Sequence, residues 1–236
     1  MTTAASGRAL RGAIFDLGGV MTEPLGRHHQ SIDDPLQLDL LRFFLDDFKD
    51  VYHLPTGAHD LHLRETGAIS DDEFFDRLTA RYVAAGGDPA VDAQVAQSAV
   101  FGHGLAACGA MIDAVRQVKG AAYRTALLTN ISRSGEAVWR SLLPVDELFD
   151  VVVDSSQVGL RKPDLAIFQL TCERLGVAPE QCLFVDDLRC NVDAAATLGM
   201  TVIQCRDPVL IADQVVELLL GRSAAAEPEP SRSVAL

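Results

Sequence analysis

The sequence predicts an α/β fold: a parallel sheet with helices on both faces, plus an inserted all-helical cap domain. Three observations predict it. Short apolar runs alternate with stretches of helical periodicity, the pattern of strands buried on both faces. Four of these runs end in polar or acidic residues, and open α/β sheets bind ligands at the carboxyl ends of their strands. Between the first and second runs, residues 21–105 carry helical patterns and no convincing strand.

The elements follow in order. Ala13-Ile14-Phe15-Asp16 reads as a buried strand ending in an acid, broken by Gly18-Gly19. The insertion follows, with Leu38, Leu41, Leu45 and Phe48 at helical spacing. Ser70-Asp71-Asp72-Glu73 forms a capping box that opens a second helix at 74–84. Gly86-Gly87-Asp88-Pro89 closes that helix and begins another. Strands are then predicted at 125–128, 151–153, 182–185 and 201–203. Helices are predicted at 108–119, 134–142, 164–175, 189–198 and 208–220. The core is therefore expected at 8–20 and 106–220 and the helical cap at 21–105. The Ala/Glu/Pro/Ser-rich stretch 221–236 is expected to be a disordered tail.

Composition narrows the function classes. The chain has 236 residues, 48% hydrophobic, with 20 Lys+Arg against 33 Asp+Glu and a net charge of −13. That balance argues against duplex nucleic acid and against anionic membranes as partners. The apolar stretch after Arg11 is short and runs into Asp16, unlike a secretory signal. Five cysteines without CxxC spacing suggest reduced thiols, so a cytoplasmic protein is expected. Cys182 and Cys205 sit in strand-like runs and are expected to be buried. Cys190 is expected to be a buried helix thiol and Trp139 a packing residue.

Four short motifs occur in order: Phe15-Asp16-Leu17-Gly18-Gly19-Val20, Leu127-Leu128-Thr129-Asn130, Gly159-Leu160-Arg161-Lys162-Pro163-Asp164 and Phe184-Val185-Asp186-Asp187, the last followed by Asn191 and Gly199. Together they resemble the haloacid dehalogenase (HAD) superfamily, which has a Rossmann-like core and consists mostly of phosphatases. The helical insertion is similar to the cap of the subgroup containing haloacid dehalogenases and the phosphatase domain of soluble epoxide hydrolase. The resemblance implies a Mg²⁺-dependent phosphomonoesterase acting on a small phosphorylated metabolite through an aspartyl-phosphate on Asp16. A monomer or homodimer is expected, and the acidic composition leaves no nucleic acid or membrane partner expected.

The residues suit that chemistry. Phosphoryl transfer needs a nucleophile, charge neutralisation and donors for the equatorial oxygens. Asp16 can be the nucleophile, although a strand-terminal Asp also caps turns. Asp16 and Asp187, with Asp186 behind, can hold Mg²⁺, a hard cation preferring oxygen ligands. The Asp186-Asp187 pair can equally cap the next helix. In related enzymes the backbone carbonyl two residues past the nucleophile is also a ligand; here it belongs to Gly18. Thr129 and Asn130 can donate to phosphate oxygens. Lys162 can bridge Asp16 and the phosphate, with Pro163 suited to the first helical turn. Arg161 is expected to face solvent.

One position departs from the pattern. Most phosphatases of the superfamily carry a second aspartate, the general acid–base, where this chain has Gly18. Three readings remain open: a phosphatase whose acid comes from the substrate or the cap, a dehalogenase or phosphonate hydrolase, or a phosphate-ligand binding or sensing protein with little turnover. Glu23, His28 and His29 are candidate cap acids, the histidines being equally ordinary loop residues. Lys49, the lone cap lysine, is expected at the surface, and Phe43, Phe44 and Phe48 in the helical core. The cap segment carries 15 acids and 6 bases, against 16 and 12 in the core. Its acidity disfavours substrates bearing further negative charge away from the phosphate.

Overall fold

The computed structural model describes residues 9–24, 35–48, 51–54, 56–92 and 106–221. Five strands, β1 (Gly12–Phe15), β2 (Arg124–Thr129), β3 (Val151–Asp154), β4 (Cys182–Asp186) and β5 (Thr201–Gln204), form one sheet. Its order is β3-β2-β1-β4-β5 and every pairing is parallel. The chain runs outward from β1 to β3, then returns to the other side of β1 for β4. That reversal leaves a crevice at the carboxyl ends of β1, β2 and β4, where doubly wound sheets bind ligands.

The alternation of side chains along each strand feeds two cores. Ala13 and Phe15 pack on one face with Leu127, Leu183 and Val185, under α4 (Gly109–Gly120) and α10 (Pro208–Leu220). Ile14, Ala126, Leu128 and Phe184 pack on the other face, under α8 (Leu165–Leu175) and α9 (Arg189–Thr197). Trp139, on α5 (Glu136–Leu142), is buried in the first core, as expected of a packing residue. Short helices α6 (Val145–Leu148) and α7 (Ser155–Val158) flank β3. Cys182 and Cys205 are buried, and Cys190 is half-buried at the start of α9. Strands β2, β3, β4 and β5 end one residue beyond the sequence-based bounds, since parallel pairing continues through Thr129, Asp154, Asp186 and Gln204. Pro163 lies outside the first turn of α8, whose N-cap is Asp164.

Three helices of the insertion are described: α1 (Pro35–Phe48), α2 (Asp60–Glu65) and α3 (Asp71–Ala84). They share their own core of Leu40, Leu41, Phe44, Leu61, Phe74, Phe75 and Leu78. Ser70 caps α3, its hydroxyl accepting from the Glu73 N–H at 3.1 Å, so the capping box predicted a helix that begins three residues earlier than 74. The apolar stripe of α1 is rotated from the expected one. Leu40, Leu41 and Phe44 are buried, whereas Leu45 is 44% exposed and Leu38 half-buried. A helix rich in leucine offers more than one stripe, and the packing against α3 selects among them. Phe43 packs at the edge of this core against the Tyr82 ring. His28, His29, Lys49, the side chain of Phe48, the helix expected after Pro89 and the tail beyond Gly221 lie outside the described residues. Among the described residues no helix is long and apolar enough to cross a membrane.

The rotation of α1 makes a contrast that urea unfolding can measure. Leu41→Ala is expected to cost about 2–5 kcal/mol, the usual range for a buried leucine. Leu45→Ala is expected to stay within about 0.5 kcal/mol of the parent.

Candidate active site

The crevice at the reversal of the sheet collects the acidic strand ends. The ladder between β1 and β4 continues one step past Phe15, where the Asp16 N–H donates to the Val185 carbonyl at 2.9 Å. That fixes Asp16 beside Asp186 and Asp187. One carboxylate oxygen from each of the three lies within 4.8 Å of the others. The chain then makes the wide turn Leu17–Met21. Gly19 has φ +66°, a left-handed value that favours glycine, and a Cβ there would lie 2.9 Å from Asp187 Oδ2. Gly18 has an ordinary backbone, and a Cβ there would meet nothing within 4 Å.

Lys162 enters this acidic cluster from the loop before α8 and is buried. Its ammonium donates to Asp16 Oδ1 and to Asp186 Oδ2, each at 2.6 Å, and to the Leu128 carbonyl at 3.1 Å. All three N–H donors are thereby used. Asn130 braces the loop from both sides. Its Oδ1 accepts from the Lys162 N–H at 2.9 Å and its Nδ2 donates to the Lys162 carbonyl at 2.9 Å. Thr129 is buried at the end of β2, one residue before.

Asp186 and Asp187 have different surroundings. Asp186 is fully buried and accepts from the Leu188 N–H at 2.8 Å and from Asn191 Nδ2 at 3.0 and 3.1 Å. The N-cap of α9 is Leu188, so neither aspartate of the pair caps this helix; Asp186 holds the turn that precedes it. Asp187 is half-buried and stands over Gly19.

Burial pushes the Asp16 carboxyl up to about 8, with Lys162 pulling it back and Asp186 and Asp187 adding to the rise. Burial, then Asp186, pushes Asp187 up to about 6. Burial alone would lower the Lys162 ammonium, but Asp16 and Asp186 outweigh it and hold it above its ordinary range. Three carboxylates face one ammonium, a formal excess of two negative charges. A divalent cation would cancel that excess, and an all-oxygen donor set suits a hard ion. The cluster therefore fits magnesium by charge and by donor chemistry.

Arg161 departs from the expectation of solvent exposure: it is 0% exposed. Its Nε donates to Glu65 Oε2 at 2.8 Å, and its guanidinium lies 5.3 Å from the Tyr52 ring centroid. A cap carboxylate and a cap aromatic thus cover an arginine of the core, which is why local composition misjudged it. Glu65 also lies 3.4 Å from Asn130 Nδ2 and accepts from the Tyr52 hydroxyl at 3.4 Å. Burial pushes the Glu65 carboxyl up, opposed by Arg161, and burial with Glu65 pushes the Tyr52 phenol up. Beside Glu65, Arg64 pairs with Asp71 and donates to Ser132 Oγ at 2.9 Å. Ser155 Oγ donates to the Glu65 carbonyl at 2.6 Å. Glu65, Tyr52 and Arg64 carried no signal in the sequence beyond ordinary helix and turn composition. Glu23, by contrast, is placed at the base of the insertion, its N–H donating to the Ala106 carbonyl at 2.8 Å.

The doubly wound sheet with an acidic centre at its strand ends defines the class as an α/β protein whose ligand site lies at the reversal of the sheet. Residues 10–199 match the family model for haloacid dehalogenase-like hydrolases, and the chain belongs to that family. Over 114 residues it is 41% identical to the acyl-CoA dehydrogenase family member 10 of Mus musculus, covering 47% of this chain and 10% of that protein. Over 90 residues it is 37% identical to the phosphatase MT3486 of Mycobacterium tuberculosis, covering 37% of this chain and 41% of the other. Over 117 residues it is 27% identical to the bifunctional epoxide hydrolase 2 of Rattus norvegicus, covering 47% and 21%. The chain thus spans about a tenth to a quarter of the first curated relatives it matches. A HAD family enzyme of Bacteroides thetaiotaomicron, crystallised with magnesium and inorganic phosphate, superposes with a TM-score of 0.57 at 19% identity, covering 83% and 94%.

The charge excess leads to a measurement. Magnesium is expected to raise the thermal unfolding midpoint, since a ligand at about 100 times its dissociation constant adds about 2.7 kcal/mol to the folded state. Asp187→Asn is expected to remove most of that rise in the same calorimetric scan.

Proposed function

We propose that the protein is a Mg²⁺-dependent phosphomonoesterase acting on a small phosphorylated metabolite, with Asp16 as nucleophile. The observation that carries this reading is the buried Lys162 ammonium held between Asp16 and Asp186 inside a cluster of three carboxylates. A carbon–halogen substrate needs no such cation-binding arrangement, whereas a phosphate dianion needs its charge neutralised beside an anionic nucleophile. The similarity to the M. tuberculosis phosphatase supports the same choice.

Asp16, Asp187 and the Gly18 carbonyl would hold the magnesium ion, with Asp186 behind them. When bound, the ion neutralises phosphate charge and orients the phosphoryl group against Asp16. Lys162 opposes the rise that burial imposes on the Asp16 carboxyl and adds positive charge to the site. Thr129 binds a phosphoryl oxygen through its hydroxyl and N–H. Asn130 shares in phosphate binding through Lys162, whose loop it holds. An Asp16 oxygen attacks phosphorus, the ester P–O bond breaks with its electron pair going to the leaving oxygen, and that oxygen takes its proton from solvent water. Water then attacks the phosphorus, releasing inorganic phosphate and the Asp16 carboxylate. The cap, residues 21–105, closes over the crevice and excludes bulk water.

Gly18 cannot protonate the departing oxygen. Aryl phosphates, whose leaving groups need no proton, are therefore expected to be hydrolysed faster than alkyl phosphates. The same absence favours a second reading, a phosphate-binding protein in which phospho-Asp16 persists and turnover is slow.

Three measurements on the purified protein test this. Hydrolysis of an aryl phosphate is expected to depend on magnesium and to vanish in Asp16→Asn; full activity in that variant would overturn the nucleophile assignment. Gly18→Asp has room for its side chain, and is expected to raise kcat on alkyl phosphates by about tenfold or more, general acid catalysis being worth about 10²–10⁴-fold. A phosphoryl adduct that persists in intact-mass spectra, without steady turnover, would favour the binding reading.

A further inference from the structure

Arg161 is a fully buried cation with most of its hydrogen-bonding capacity unspent. Its Nε is taken by Glu65 Oε2 at 2.8 Å. Both terminal nitrogens, Nη1 and Nη2, are buried and have no partner among the described residues. They carry four N–H donors between them, and buried donors of a charged group are ordinarily satisfied. The guanidinium is also one residue from Lys162, whose ammonium touches the nucleophile. Asn130 Nδ2 lies 2.9 Å from the Lys162 carbonyl and 3.4 Å from Glu65 Oε2, joining the arginine's partner to the reacting centre. The Tyr52 ring, 5.3 Å from the guanidinium carbon, walls the group on the cap side.

We propose that Arg161 binds a carboxylate carried by the substrate beside its phosphate, which makes the substrate class an O-phosphorylated hydroxycarboxylic acid. This rests on the phosphomonoesterase reading of the site. The terminal edge of a guanidinium is a planar fork, and a planar carboxylate accepts from it through two parallel bonds. A lone hydroxyl would leave half of the fork unpaired. A second phosphate would bring two charges into a site already crowded with Asp16, Asp186, Asp187 and Glu65. A carboxylate brings one. Arg161 thus makes a local exception to the exclusion that the acidic cap suggests, and limits it to a single extra charge.

The test compares O-phosphorylated hydroxycarboxylates of two, three and four carbons with the alkyl phosphates of equal length. In the magnesium-loaded protein, kcat/KM is expected to favour the carboxylated ester by at least about tenfold for one chain length, as hydrogen bonds to charged groups usually provide. Arg161→Met is expected to bring that ratio near one. If that variant fails to fold, because Glu65 loses its partner, Arg161→Lys keeps the charge and loses the fork, and the ratio is expected to fall as well. A ratio near one in the parent protein, or an unchanged ratio in either folded variant, overturns the proposal. Calorimetric binding of the same ligands to Asp16→Asn separates the two readings. A carboxylate preference in binding without hydrolysis by the parent would sink the phosphatase reading and keep the Arg161 site. Hydrolysis without any preference would do the reverse.

Discussion

The site depends on one buried contact, the Lys162 ammonium between Asp16 and Asp186. Burying a charge is costly unless it is paired and hydrogen-bonded. Lys162 meets that condition with three acceptors at once, one from each of β1, β2 and β4 or their immediate ends. The sheet order places those three strands side by side, so the contact also ties the central strands together at their carboxyl ends. Asn130 and Asn191 are the supports, one fixing the loop that carries the lysine, the other fixing the carboxylate of Asp186. Neither need touch a substrate to matter, because an ammonium displaced by an ångström would leave two buried carboxylates facing each other.

The fold was legible because its strands are short, apolar and buried on both faces. Ala13, Ile14 and Phe15 need no partner to be read as a strand. Asp16, Thr129, Lys162 and Asp186 stand at strand ends or at a helix start, and chain position alone brings them together. Arg161, Glu65 and Tyr52 were not legible. Arg161 and Glu65 meet across 96 positions, and each looks like an ordinary surface residue within its own segment. The cap helix α1 was misread for a related reason. Its leucines and phenylalanines permit several stripes, and only the neighbouring helix decides which is buried.

Charged and polar side chains tie the insertion to the core. Arg64 and Glu65 are adjacent on α2, and both reach the core, to Ser132 and Arg161. Asp71 adds a bond from Ser134, and Thr56 donates to Asp164 at 2.6 Å. These are polar links, whose groups water can also satisfy. A purely apolar seam would have no such substitute. Polar interfaces of this kind are the ones that parts of a chain can separate and re-form.

The two ends of the insertion leave and rejoin the core at the same place. Thr22 pairs with Ala107 in an antiparallel bridge, and the Cys108 N–H donates to the Met21 carbonyl at 2.8 Å. The chain path of the core is therefore continuous across a closed stem, and the insertion touches the strand ends again only through side chains such as Arg64 and Glu65. A stem closed in this way holds the ends of the insertion together at the mouth of the crevice, so the strand ends keep their spacing independently of the length of the excursion. The excursion is thus an outgrowth fastened at one hinge-like point of the chain, and it reaches the reacting end of the sheet from above rather than forming part of it.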